Sequence, residues 1–218
     1  MVYAHSEIAI FASTGWVAYL CLIRRMKAGL GIITLVVALL VVFGIELATH
    51  SVGNEASLLT LGALPDNGAL HGQYWRFATY SFLHFNAAHL LVNLLLLFWV
   101  GRIVESWVGI AYAAAIYVSS VLSSAAVILL FHNLHPKAGA TVGASGGIFG
   151  LLAGALIISH RHGAGSLDRK SPIRAWLWIA LLAGLGISFL PGISMAGHVG
   201  GLIGGTLLTG IAKFRKNV

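Results

Sequence analysis

"GATVGASGGIFG", residues 139–150, is the stretch on which the fold turns. Its centre, Gly143-Ala144-Ser145-Gly146-Gly147, fits the G-x-S-x-G pattern of a serine hydrolase nucleophile elbow, which sits between a strand and a helix of a soluble sheet protein. The flanks contradict that setting. "AYAAAIYVSSVLSSAAVILLF" precedes the motif and "LLAGALIIS" follows it, and both are apolar enough to lie in a membrane.

The composition sides with the flanks. The 218-residue chain is 58% hydrophobic and 9% charged, with mean hydropathy +0.91, whereas globular chains carry about 25% charged residues. Apolar runs recur that are long enough to cross a hydrocarbon core of ~30 Å. The short alternating segments of a transmembrane barrel are missing. The fold class is therefore all-α and polytopic in a membrane. Cys21 is the single cysteine, which excludes an internal disulfide and a multi-cysteine metal site. A net charge of +7 raises nucleic-acid binding, but basic loops of a membrane protein account for it better, so no nucleic-acid partner is expected.

Seven hydrophobic segments follow, at 8–23, 29–49, 84–104, 107–131, 145–160, 173–190 and 197–213. The first is short, and Ser13, Thr14 and Gly15 interrupt it. It reads as an extra N-terminal element rather than a cleaved signal, because Arg24, Arg25 and Lys27 follow it and no basic region precedes it. The chain divides into this segment with its basic connection (1–28), one membrane domain (29–213) and a short cytoplasmic tail (214–218). Residues 50–83 mix Leu, Trp, Tyr and Phe with turn residues, which predicts a structured loop hugging the membrane interface.

Charge sets the orientation. Arg24, Arg25, Lys27, Arg102, Arg161, Arg169, Lys170, Arg174, Lys213, Arg215 and Lys216 are eleven of the thirteen basic residues, and all fall in alternate connections or at the C-terminus. The positive-inside rule puts them in the cytoplasm and leaves Arg76, Lys137, the N-terminus and the 50–83 loop outside.

Polar residues inside spans are expensive and invite a functional reading. Ser145 lies at the outward end of the fifth segment and His198, in "MAGHVGGLIGG", at the outward end of the last. His89 and Asn93, four apart in "HFNAAHLLVNLLLLFW", share one face of the third. Taken singly, each is more economically a packing or backbone-bonding residue. Jointly they lie at one depth on three helices. Gly146, Gly150 and Gly154 on one helix and Gly197, Gly201 and Gly205 on another give small faces that allow close backbone approach. A Ser–His pair requires that approach, since the imidazole must reach the hydroxyl to take its proton. The six acids, Glu7, Glu46, Glu55, Asp66, Glu105 and Asp168, include none inside a span beside His198. The expectation is a Ser145–His198 dyad, with His89 and Asn93 donating to the oxyanion of a tetrahedral intermediate.

With those residues in place, the chain resembles the rhomboid intramembrane serine proteases. The resemblance rests on "YWRFATYSFLHFNAAHLLVNLLLLFWVGRIVE" (74–105), "GASGGIFG" (143–150) and "AGHVGGLIGG" (196–205), in the family's order, and covers about residues 29–213. It implies a six-helix core, Ser145 as nucleophile, His198 as general base and His89 with Asn93 on the oxyanion side. Trp75 and Arg76 match the Trp-Arg of the first outer loop, and Gly143 belongs to the serine motif. Phe149 stands where family members often carry a tyrosine packed against the histidine. The family implies a serine-type endopeptidase without metal or cofactor, acting on transmembrane segments of other membrane proteins from a wet cavity near the outer face. The expected location is a bacterial inner membrane. Two other classes compete: an inactive relative that escorts membrane helices, and a small transporter with a histidine proton relay. A metalloprotease lacks its HExxH, and His160 with His162 form only a weakly metal-like pair.

Overall fold

The computed structural model describes residues 29–161 and 172–211. The 8–23 segment, its basic connection, His162 and the 214–218 tail lie outside these residues. Eight helices form in them: α1 (Leu30–Ala48), α2 (Glu55–Leu61), α3 (Arg76–Thr79, continued by a tighter turn Tyr80–Phe82), α4 (Ala87–Val108), α5 (Ile110–Leu134), α6 (Ser145–Arg161), α7 (Pro172–Ile187) and α8 (Met195–Ile211). Two short strands, β1 (Leu64–Pro65) and β2 (Ala140–Thr141), pair antiparallel. The protein is an all-α membrane protein. Helices α1, α4 and α5 are long and apolar enough to cross a bilayer, and α6, α7 and α8 are apolar helices of 17, 16 and 17 residues.

Helices α5, α6 and α8 make the inner layer, and α6 is buried along nearly its whole length. Glycine and serine make this closeness possible. A Cβ on Gly201 would collide with the Gly146 carbonyl, and one on Gly205 with the Gly150 carbonyl, so α8 lies backbone-to-backbone on α6. Gly197, the expected third member of that face, meets Ile128 and Ser124 of α5 instead. Residues four apart are offset by about 40° around a helix, so a four-residue glycine series drifts from one neighbour to the next. Gly200 and Gly204 complete the α5 contact against Ser119, Ser120, Ser123 and Ser124.

The remaining helices pack at the rim, where α1, α4 and α7 expose Leu, Ile, Val, Phe and Trp side chains. Two carboxylates hold α1 to α4 at opposite ends. Glu105 near the end of α4 accepts from the N–H groups of Gly31 and Ile32 at 3.2 and 2.9 Å, which satisfies donors that the first turn of α1 leaves open. Glu46, fully buried near the end of α1, accepts from His84 N–H at 3.0 Å just before α4 begins. Helix α4 starts at Ala87 because the Asn86 side chain accepts from His89 N–H at 2.8 Å as an N-cap. The helix therefore runs over 87–108 rather than the expected 84–104. Inside it, the wider turn Leu97–Gly101 brings Gly101 against Ile32 of α1.

The 50–83 segment is structured, as expected. Arg76 donates from Nη1 to the carbonyls of Leu59 (2.7 Å) and Ala63 (2.6 Å), and its guanidinium stacks 4.7 Å over the Trp75 ring. Burial lowers its pKa from the usual arginine value. Asp66, also buried, ties this segment to the chain leading into α6. It lies 3.3 Å from His132 Nε2 and 3.4 Å from Lys137 Nζ, and accepts from Thr141 Oγ1 at 2.6 Å.

Candidate active site

The residues before Ser145 are held from three sides. The β1–β2 ladder pairs Leu64 with Thr141 and Pro65 with Ala140, and Asp66 clamps Thr141. Gly143 N–H donates to the Tyr80 carbonyl at 3.0 Å, while the buried Tyr80 hydroxyl donates to the Val121 carbonyl of α5, also at 3.0 Å. Gly143 has φ +125°, a conformation open to glycine, and a Cβ there would stand 2.8 Å from His89 Cε1 and Nε2. The chain thus turns sharply beneath His89 and starts α6 at Ser145. The leading N–H groups of that helix have no intrahelical carbonyl, and its dipole is positive at this end.

Helix α8 brings the imidazole to the hydroxyl. Ser194 Oγ accepts from Gly197 N–H at 3.1 Å and starts the helix, and Ser124 Oγ donates to the Gly197 carbonyl at 2.8 Å. His198, 4% exposed, then places Nε2 3.0 Å from Ser145 Oγ, joining residues 53 positions apart. Ser145 itself is half-buried. The Phe149 ring, one turn along α6, stacks on the imidazole at 4.0 Å with planes 12° apart. The tip of the Phe149 ring reaches Gly184 of α7, where a Cβ would stand 2.6 Å from Cζ. The histidine is therefore held flat between its own helix and an aromatic wall.

His89 and Asn93 reach the same corner. The Asn93 amide lies across the turn at Gly143, and one of its N–H groups donates to the His89 carbonyl at 3.0 Å. An amide has two N–H groups, so one is left for a ligand. His84 packs edge-on against His89 with ring centroids 5.1 Å apart. Of the residues singled out in the sequence, Ser145, His198, Phe149, Gly143, His89 and Asn93 converge, while Trp75 and Arg76 stand apart and organise the outer segment.

Ser188, just past the end of α7, belongs to this corner although the sequence does not single it out. Its Oγ lies 2.5 Å from His198 Nδ1 and donates to the Gly184 carbonyl at 2.7 Å. It is a neutral hydroxyl, so counting the acids of the sequence does not reveal it. Among the described residues no group of three His, Cys, Asp or Glu side chains is placed to hold a metal, and His160 contacts Arg174.

Comparison with known proteins gives a consistent set of likenesses. Residues 71–214 match the Rhomboid domain. Over 156 residues the chain is 32% identical to rhomboid protease GluP of Bacillus subtilis (strain 168), an overlap of 70% of this chain and 29% of that protein. RHOMBOID-like protein 5 of Arabidopsis thaliana is 30% identical over 152 residues, 70% of this chain and 48% of the relative. Rhomboid protease AarA of Providencia stuartii is 28% identical over 208 residues, 85% of this chain and 74% of the relative. The chain thus spans less than half the length of the first two.

Proposed function

The chain belongs to the rhomboid family, and we propose from this premise that it is a serine-type endopeptidase cutting transmembrane segments of other membrane proteins. The observation that carries the reading is the 3.0 Å contact between His198 Nε2 and Ser145 Oγ. A serine hydroxyl is a weak nucleophile until a neutral base at hydrogen-bond distance takes its proton. As Ser145 Oγ attacks the scissile carbonyl, that proton passes to His198. The resulting oxyanion faces the spare Asn93 N–H, the His89 ring and the open N–H groups at the start of α6. His198 then protonates the leaving amine, which departs as the new N-terminus. Water, deprotonated by the same imidazole, hydrolyses the ester and frees Ser145.

Peptide hydrolysis needs water, so the corner opens to a wet cavity on the face where α6 and α8 begin. The substrate helix must unwind locally there, because a helical carbonyl is engaged by its own backbone. Small residues at the cleavage point and helix breakers beside it suit such a site. By the basic-residue split, that face is the outer one, and the expected setting is a bacterial inner membrane.

The test uses purified protein, a transmembrane model substrate and a serine-directed fluorophosphonate. Wild type should be labelled at Ser145 and should cleave. Ser145→Ala and His198→Ala should each abolish cleavage, and the double variant should be scarcely worse than either, because the two act as one unit. Substantial turnover by Ser145→Ala overturns the serine mechanism. Wild type that neither labels nor cleaves several substrates points to an escort of membrane helices instead.

A further inference from the structure

We propose that Ser188 is a positioning residue of this site: its hydroxyl holds His198 in the neutral tautomer whose Nε2 lone pair faces Ser145. The inference rests on reading Ser145 and His198 as nucleophile and base, and it follows from where each proton can sit. A serine hydroxyl has one proton and two lone pairs, and a backbone carbonyl can only accept. Ser188 Oγ lies 2.7 Å from the Gly184 carbonyl, so its proton points there. The same oxygen lies 2.5 Å from His198 Nδ1, and with its proton committed it can only accept. Nδ1 must therefore carry the hydrogen.

A neutral imidazole has one N–H, so Nε2 is left as a lone pair. Ser145 Oγ, 3.0 Å from Nε2, then donates. Protons run one way along the chain, from Ser145 to His198 to Ser188 to Gly184, and that direction is the one nucleophile activation needs. The opposite tautomer fails at two places. It sets an N–H against the hydroxyl that should be deprotonated. It also turns the Ser188 proton away from Gly184, leaving two oxygens 2.7 Å apart without a hydrogen between them.

A serine near a helix end often bonds a carbonyl four residues back, and that contact alone has only local meaning. Here Ser188 and His198 are each 4% exposed, so no bulk water stands ready to replace the hydroxyl on Nδ1. Phe149 fixes the plane of the ring, and Ser188 fixes which nitrogen is protonated. The arrangement does the orienting job of a triad carboxylate without placing a charge in the bilayer. The difference has a consequence: Ser188 continues to accept from Nδ1 once the imidazolium forms, but as a neutral dipole it stabilises that cation less than a carboxylate does.

Two measurements test this. The first is nitrogen NMR of protein labelled with 15N-histidine, assigned through His198→Gln. Wild type should show His198 protonated at Nδ1 and unprotonated at Nε2 above its titration, and Ser188→Ala should lose that state or mix it with the other tautomer. The second is kinetic. Ser188→Ala should lower kcat by roughly 10- to 10²-fold, less than the ~10⁴-fold that a misheld tautomer costs where a carboxylate is the partner. KM should stay within about threefold, since no substrate contact is removed. Ser188→Thr, which keeps the hydroxyl, should restore most of the rate. A wild-type His198 protonated at Nε2, or Ser188→Ala with wild-type kcat and an unchanged tautomer, overturns the proposal. Should Ser188→Ala fail to fold, the wild-type spectrum decides alone. Failure of the underlying reading is separate: it appears as turnover by Ser145→Ala, whatever the tautomer of His198.

Discussion

Asn93 is the residue at which catalysis and packing are easiest to confuse. It is buried, and one amide N–H is already committed to the His89 carbonyl a turn earlier, so part of its role is to hold α4 together. The other N–H is what the proposed oxyanion would use, and that bond strengthens as charge develops. Removing one such donor costs on the order of 10²–10³ in kcat. Asn93→Ala should therefore lower kcat strongly, leave KM within a few-fold and still allow slow fluorophosphonate labelling. Loss of melting temperature and activity together would assign it to packing, and a wild-type kcat would remove it from the site. The sequence makes Ser145, His198, His89 and Asn93 legible because each is a polar side chain that a membrane helix carries only for a reason. Ser188 escapes that logic. A serine near a helix end looks the same in sequence whether it bonds its own backbone or a histidine ten residues on.

Among the elements, the α6–α8 contact does most to decide whether the dyad forms. Both helices contribute one member each, and the contact between them is backbone on backbone at Gly146–Gly201 and Gly150–Gly205. Gly201→Ala adds one carbon where the Gly146 carbonyl stands, so α8 must shift or rotate and His198 must leave Ser145. Turnover should fall by at least ~10²-fold, since a displacement of about 1 Å is enough for that, and the melting temperature should fall with it. Gly210→Ala in the same helix meets nothing within 4 Å and serves as the control. It should keep wild-type activity and gain up to ~1 kcal/mol from helix propensity. Equal behaviour of the two variants would contradict the packing argument. The glycine spacing is readable in sequence, but its partners are not. A four-residue repeat names a face and leaves open which neighbour each member meets, which is why Gly197 lies against α5. Helix ends are blurred for a similar reason: hydropathy rises at His84, whereas the Asn86 cap sets the first turn of α4 three residues later.

At the scale of the whole molecule, contacts between the ends of the six long helices, α1 and α4 to α8, mark two opposite ends. Ser145, His198, Asp66 and Lys137 gather at one. At the other, Arg161 Nη1 donates to the Thr209 carbonyl (3.0 Å) and its Nη2 to that of Gly210 (2.6 Å), and Tyr112 donates to Leu208 at 2.9 Å. Arg102, Arg161 and Arg174 belong to this second end, and the sequence adds Arg24, Arg25, Lys27, Arg169, Lys170, Lys213, Arg215 and Lys216 in segments that adjoin it. The first end has Arg76 and Lys137, each engaged within the fold. The positive-inside rule then predicts a cytoplasmic C-terminus and a dyad at the outer face. A C-terminal fluorescent reporter that matures only in the cytoplasm should light up. In a Cys21→Ser background, Asn67→Cys in the exposed loop of the first end should react with a membrane-impermeant maleimide in intact cells, and Arg174→Cys should react only after lysis. The reverse pattern would turn the molecule over and put the proposed cavity on the cytoplasmic side, leaving the Ser145–His198 geometry untouched. The N-terminus reports separately on residues 8–23: it lies outside if that segment spans the bilayer and in the cytoplasm if the segment rests on the surface.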